Sequence, residues 1–503
     1  MNSLLPLIIP LLLGFCLVAQ LTRGIRLSER ISFALIMAIP VGLGTCSLIL
    51  FWSYFAGNAH GKTISIFSCI VLLIMLVILL IKNKFYLRRE KSLNQPPYQN
   101  DPHPTLSPGE RENSLRGVRG MEVGTNLLNK VLVNRILIFL SLLIFLIYLW
   151  KYWDFFSSRM VWDVFGGWDA RFFWNLKAKF YHRIPSEWAQ MFSSTISWSH
   201  PGYPLMLPGS IAWGWNWLNR EILIWPNLVN LSFFAGLVLL TVWYLSRTVS
   251  IWCGFLAGAL ILTMKALTFW SATQYADIPL CFFITASTTT AVIALRHNGK
   301  NLFLLSGYLC GLAAWTKDEG LLFSAFLTIL IFIAILAAKQ TKPVDKLKLL
   351  GIFFAGLCLP VLSNLWIKGF LGTTGGEYIG SGRTWQEILK QATNIRNTKI
   401  IGMAYWVFIN NLSQWKGIWF LFALAILCHP KRAFENHRWI FCSMVLFINL
   451  GYFLIFHFTP HGLLEQIKTA MDRLLLHSSI LAVIFTFEVF SHNLFSLKQK
   501  QSE

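Results

Sequence analysis

The chain has 503 residues, of which 55% are hydrophobic and 13% charged, with a mean hydropathy of +0.56. Soluble domains carry about 25% charged residues, so the composition excludes one and predicts an all-α fold, a polytopic transmembrane helical bundle. The formal charge of +21 comes from 43 Lys and Arg against 22 Asp and Glu. No solvated basic domain accompanies it, which argues against nucleic acid as a partner and for short basic loops beside anionic membrane lipids.

An apolar helix needs about 20 residues to cross the hydrocarbon core. Runs of this kind lie at 3–21, 31–56, 63–81, 136–151, 222–245, 248–266, 278–296, 302–316, 320–338, 348–367, 408–428, 438–457 and 473–491, so about 13 spans are expected. The first run lacks a basic leader and an A-x-A cleavage site and is read as a retained span. Residues 1–91 form an N-terminal three-span unit. Residues 92–125 are rich in Pro, Gly, Asn and Ser; such composition buries too little apolar surface to order itself, so 92–135 is expected to be a disordered cytoplasmic linker. A membrane domain at 136–491 and a cytoplasmic tail at 492–503 follow. Eight of the nine cysteines lie inside apolar runs, Cys428 ends one, and no CxxC occurs. They read as small buried hydrophobes.

Basic clusters set the expected orientation. Arg23, Arg26 and Arg30, the run 82–91, Arg296 with Lys300, the run 339–348, and Lys431, Arg432 and Arg438 should face the cytoplasm. Alternation then brings the loop 152–221, the turn 274–277 (QYAD), the turn 316–320 (TKDEG) and the segments 368–407 and 458–472 to the outer face. This requires that 203–218 (YPLMLPGSIAWGWNWL), apolar but interrupted by two prolines, lie in the interface or dip part-way in rather than cross.

The polar residues of that face are the candidate site. Asp169, in GGWDARFFWNLKAKF, is a carboxylate beside Trp168 near the bilayer surface; desolvation there would raise its basicity and suit it to take a proton from a hydroxyl. It could equally be paired with Arg171 or Lys177 to hold the loop, and Asp163 offers the same chemistry. Arg171, Asn175 and Lys179 are four apart and share one face if helical, and with Lys177 they could bind a phosphate or snorkel at the membrane surface. His200, in SHPGYP, could contact a donor, ligate a metal or be an interfacial histidine. Asp277 opens a span in QYADIPL, where a carboxylate caps the helix. Lys317 and Glu319 stand with Asp318 at a tight turn, where charges are costly unless they face water or one another. Lys317 suits phosphate, and Glu319 could steady it or bind sugar hydroxyls. In HFTPHGLLEQIKTAMDRLLLH the candidates are His457, His461, Glu465, Lys468, Asp472 and Arg473. Arg473 opens the last span and suits bidentate phosphate recognition. No P-loop, dinucleotide glycine pattern, HExxH or GxSxG occurs, which argues against nucleotide-driven transport and the common hydrolase nucleophiles.

GGWDARFFWNLKAKF with SHPGYPLMLP, YADIPL, GLAAWTKDEG and FTPHGLLEQIKTAMDRLLL, in this order, resemble the C-type (GT-C) polytopic glycosyltransferases over residues 136–491. Within that class they are similar to bacterial dolichyl-phosphate-mannose-protein-mannosyltransferase-like and aminoarabinose-transferase-like proteins. The resemblance implies a polyprenyl-phosphate sugar lipid as donor and a glycan, lipid or protein as acceptor, with sugar transfer at the outer, periplasmic face of a bacterial inner membrane. It implies Asp169 as the base of an inverting displacement, and Lys317 and Arg473 are the choices to neutralise the leaving phosphate. Members often carry a paired acidic motif in the first loop, whereas Ala170 and Arg171 follow Asp169 here, so a divalent metal cofactor stays open. A lipid-linked-sugar flippase, which needs polar residues through the midplane, and a ligase or polymerase using a pyrophosphate-linked donor are the alternatives.

Overall fold

The computed structural model describes residues 2–23, 25–93, 119–297, 299–338, 342–370, 386, 390, 393–459 and 462–491, and the side chains of 4–81 and of 131 onward within those ranges. Among the described residues the fold is helical throughout; the only β-contact is an isolated bridge between Arg23 and Ile25. The helices that matter below are α1 (Ile8–Leu21), α2 (Leu27–Gly57), α3 (Gly61–Leu93), α4 (Arg119–Trp162), α5 (Asn175–Arg183), α6 (Met206–Leu218), α7 (Trp225–Thr248), α8 (Ile251–Thr263) and α9 (Lys265–Ser271). They continue with α10 (Asp277–His297), α11 (Lys300–Thr316), α12 (Asp318–Ala337), α13 (Pro343–Phe370), α14 (Ile395–Ile409), α15 (Ile418–Cys428), α16 (Trp439–His457) and α17 (Leu463–Phe490).

Nine apolar stretches among the described residues are long enough to cross a membrane, and ten if α8 and α9, bent by 71° at Met264, make one broken span. This is the build of an integral membrane protein. The longest stretch, Leu27–Ile81, holds both α2 and α3, which turn back on each other at Asn58–His60. Two of the expected spans account for most of the remaining difference from about 13. α11 has 17 residues, and the run 408–428 is divided between α14 and the 11-residue α15.

Boundaries depart from the hydropathy reading in two places. α3 runs to Leu93 and α4 already begins at Arg119, inside the stretch read as linker; residues 94–118 lie outside the described residues. Extending an established helix is far easier than nucleating one, so polar flanks are drawn into both. α17 begins at Leu463, so Arg473 lies within the helix rather than opening it. The intervening LLEQIKTAMD consists mostly of strong helix formers.

α6 is a 13-residue helix, about 20 Å long, too short to cross alone. It does not lie on the lipid face either: every residue from Met206 to Asn216 is buried. Its polar edges bond into the protein, with Trp213 Nε1 donating to Pro6 O (3.0 Å) and Asn216 Nδ2 to the Tyr54 hydroxyl (3.2 Å). α1–α3 therefore belong to the same packed body as the rest. Thr45 and Tyr308 share a hydroxyl bond of 2.8 Å, and Trp315 Nε1 donates to Ser47 Oγ at 3.1 Å. α10 is buried from Asp277 to Ala294. Thr288, Thr289 and Thr290 return their hydroxyls to carbonyls one turn earlier, which satisfies polar side chains without water.

Candidate active site

The site is assembled where the loop after α4, the N-terminus of α10, the α11–α12 turn and α17 meet. Each contribution has a local cause. After α4 the chain turns through Gly166, at φ +72°, and Gly167. A Cβ on Gly167 would stand 2.6 Å from the Tyr275 hydroxyl, and one on Gly166 would stand 2.7 Å from Thr273 O. Two glycines therefore let the loop lie flat against the 273–275 turn, where Gly167 N donates to Thr273 O (3.1 Å) and Asp169 N to the Tyr275 hydroxyl (3.2 Å). A π-helical turn, Ala170–Trp174, follows Asp169 and leads into α5. Such turns re-aim side chains by one position and recur at functional sites.

Asp169 is paired neither with Arg171 nor with Lys177. Its Oδ2 lies 2.5 Å from Arg473 Nη1. The guanidinium of Arg473 also lies 5.5 Å from the Trp270 ring centre and 5.4 Å from that of Tyr275, and Nη1 is 3.9 Å from Asp277 Oδ2. Asp277 is the hub. Its side chain is 2% exposed, and its Oδ1 accepts from Lys317 Nζ (2.9 Å) and lies 3.2 Å from His477 Nε2. Lys317 also meets Glu319 Oε1 at 3.0 Å, and His477 Nδ1 shares a 2.7 Å bond with the Tyr452 hydroxyl.

The α11–α12 turn is tight because Gly320 packs its backbone on Ala313, where a Cβ would come within 1.9 Å of the carbonyl oxygen. That closeness swings Lys317 over the start of α10. Burial works against its charge, yet the carboxylates of Asp277 and Glu319 outweigh burial and hold the ammonium above its ordinary range. Burial first, and then the negative charge of Asp169, push the Tyr275 phenol upward as well.

The candidate residues therefore divide. Asp169, Asp277, Lys317, Glu319 and Arg473 form one continuous chain of contacts. Asp472 stands beside them, accepting from Trp270 Nε1 at 2.9 Å and from the backbone N–H of Arg473.

Arg171 and Lys179 do not make a phosphate face. Arg171 is turned to Asp163 (3.0 Å) and to Gly166 O, Asn175 is buried against Gln274 (2.8 Å), and Lys179 acts on Glu221. The π-helical turn breaks the four-residue register on which the common face depended.

Lys177 is fully buried and donates to the carbonyl of His200 at 2.6 Å, with those of Pro201 and Tyr203 at 3.4 Å. Burial pulls its ammonium down to about 7, opposed by Asp318 and reinforced by Lys368. It pins the SHPGYP loop rather than presenting a charge. His200 itself sits at φ +51° and stacks on Tyr203 with ring centres 4.7 Å apart. Glu465 and Lys468 are exposed, and His457 is buried. His461 lies outside the described residues.

Tyr275, Trp270, His477 and Tyr452 escaped the sequence reading. Tyr275 lay inside the QYAD turn beside Gln274, which is fully buried at φ +62° and ties Asn175 to Val164 O. His477 ended the quoted final motif. Trp270 and Tyr452 carry no charge that would set them apart from the other aromatic residues of the chain.

Among the described residues no group of three His, Cys, Asp or Glu side chains converges to hold a metal ion. The cluster offers instead a half-buried carboxylate touching an arginine, backed by a buried Asp–Lys–Glu chain. That arrangement can accept a proton at Asp169 and stabilise an anion at Arg473. No protein-family model, curated protein or solved structure matches the chain.

Proposed function

We propose that this integral membrane protein is an inverting glycosyltransferase, moving a sugar from a polyprenyl-phosphate donor to an acceptor hydroxyl on a glycan, lipid or protein at the outer, periplasmic face of a bacterial inner membrane. The observation that carries the reading is the contact between Asp169 and Arg473, which joins the first large loop to the last helix across 304 positions of sequence. A base for the acceptor and a cation for the leaving phosphate are thereby brought to one site; in-line displacement needs them on opposite faces of the anomeric carbon, so the pair separates when the donor enters between them.

In the proposed step the acceptor oxygen forms its bond to the anomeric carbon as the bond from that carbon to the phosphate oxygen breaks. The acceptor proton passes to Asp169, and the electron pair leaves with the lipid phosphate, whose growing charge Arg473 meets. Arg473 exchanges its Asp169 partner for phosphate as the donor enters. Lys317 has a different part from the one first assigned to it. With Asp277 and Glu319 both within 3.0 Å, it fixes Asp277, and through Asp277 the position of Arg473, rather than touching phosphate. Asp277 and Lys317 stand at helix starts rather than in the middle of spans, which favours chemistry at one face over passage through the midplane.

The test uses the full chain in nanodiscs with polyprenyl-phosphate-linked sugars and candidate acceptors. Asp169→Asn should abolish transfer while the protein still folds and inserts, with melting lowered only as far as loss of the Arg473 pair accounts for. Full transfer by that variant would remove Asp169 as base. Movement of a lipid-linked sugar across vesicles without any new glycosidic bond would replace the enzyme reading by a transporter.

A further inference from the structure

A second feature lies beside α9, away from the Asp169 chain of contacts. α4, the α8–α9 bend and the loop before α15 enclose an open cavity of about 520 Å³. Three lysines from distant parts of the sequence line it, Lys151, Lys265 and Lys416, together with Tyr148, Tyr152 and Thr268; among the described residues no carboxylate does. Among the described residues the ion-paired lysines are Lys317, Lys348 and Lys368, so these three are uncompensated. Lys151 lies 5.4 Å from the ring centre of Tyr148, a contact that leaves its ammonium net charge intact.

The three stand at one level of the bundle. Each is the first charge beyond an uncharged helical stretch: 136–150 before Lys151, 251–264 before Lys265, and α15 after Lys416. Ammonium groups at such a boundary can snorkel singly toward headgroups, but snorkelling does not bring three of them to one cavity. Like charges gathered there repel, and a multivalent anion relieves that repulsion. On the side of Lys151 toward the uncharged stretch, α4 leaves Leu143, Leu146, Ile147 and Trp150 exposed, an apolar surface along which an acyl chain can lie.

We propose that this cavity binds a phosphate-bearing anion at the membrane boundary, in the form of an anionic lipid headgroup. The site is separate from the Asp169 cluster and does not depend on the glycosyl-transfer reading. The two share α9, which gives Lys265 to the cavity and Trp270 to Asp472 and Arg473, and Tyr152 of the cavity bonds Ser271 at 2.9 Å.

The experiment titrates the full chain in neutral detergent with short-chain phosphatidic acid, short-chain phosphatidylcholine and inorganic phosphate, following the melting temperature and native mass spectra. Phosphatidic acid should bind, and K151Q/K265Q/K416Q should weaken that binding at least about 10-fold, or about 1.4 kcal/mol, while the corresponding triple arginine variant retains it. Should the glutamine triple fail to fold, each single variant should weaken binding in part. A response to phosphatidic acid without one to inorganic phosphate assigns the lipid; equal responses assign the same site to the free anion. Phosphatidylcholine binding as well as phosphatidic acid, or unchanged affinity in the glutamine variants, would overturn the proposal.

Discussion

Asp169 and Arg473 meet at 2.5 Å with side chains 21% and 17% exposed, so the pair is neither a solvated surface bridge nor a fully buried one. Pairs at this depth keep much of their mutual attraction without the full desolvation penalty of the interior. A double-mutant cycle with Asp169→Asn and Arg473→Gln, read by thermal melting in detergent, should return a coupling of about 0.5–3 kcal/mol. Additive losses would mean that the two side chains do not sense one another in solution.

Arg473→Lys keeps the charge but loses the planar fork and the stacking over Trp270 and Tyr275. If Arg473 meets the leaving phosphate, transfer should drop at least about 10-fold, since the two cations are not interchangeable at stacked or bidentate sites. Melting temperature should change little. Wild-type turnover in this variant would show that only the charge matters.

Asp277 is the buried hub, and removing it strands Lys317 among fewer partners. Breaking a buried pair from one side costs about 3–5 kcal/mol. Asp277→Asn should therefore destabilise strongly, and adding Lys317→Met should recover part of the loss because the uncompensated charge is gone. Denaturation of both variants measures this; a double variant worse than the single would place the stabilising partner of Asp277 elsewhere, at Arg473 or His477.

At Gly167 the constraint is steric. Gly167→Ala places a Cβ against the hydroxyl and ring edge of Tyr275, so the loop must lift and Asp169 moves with it. Overpacking of this kind costs about 1–3 kcal/mol, and Tyr275→Phe should be milder because it removes one hydrogen bond only. Proteolysis and melting compare the two; equal stability of wild type and Gly167→Ala would mean that the loop is looser than this contact implies.

Lys177 gives a pH signature. Its folded ammonium titrates near about 7 against an ordinary value of 10.5, so between those limits the unfolded chain holds a proton that the folded chain has released. The resulting penalty is complete below about 7 and fades as pH rises, so stability should increase from pH 7 toward 10.5. Lys177→Met should lack that increase relative to wild type in Trp-fluorescence melts. Parallel profiles would indicate that the three loop carbonyls keep Lys177 charged throughout.

By itself the sequence determined the class of molecule and most of its helices, because an uncharged run of membrane-crossing length is a local property that needs no partner. It also marked Asp169, Asp277, Lys317 and Arg473, since charges at the ends of apolar runs stand out on cost alone. Tertiary structure decided who pairs with whom. Arg171 and Lys177 both stand close to Asp169 in sequence, yet the glycine turn and the π-helical turn point Arg171 to Asp163, Lys177 is buried in the SHPGYP carbonyls, and Arg473 arrives from α17 instead. The same holds for α6, whose apolar surface is covered by α2, α5 and α7 rather than by lipid. Hydropathy reports how much a residue avoids water; which side chain ends beside it depends on how distant helices pack, and that is settled only when the whole bundle closes.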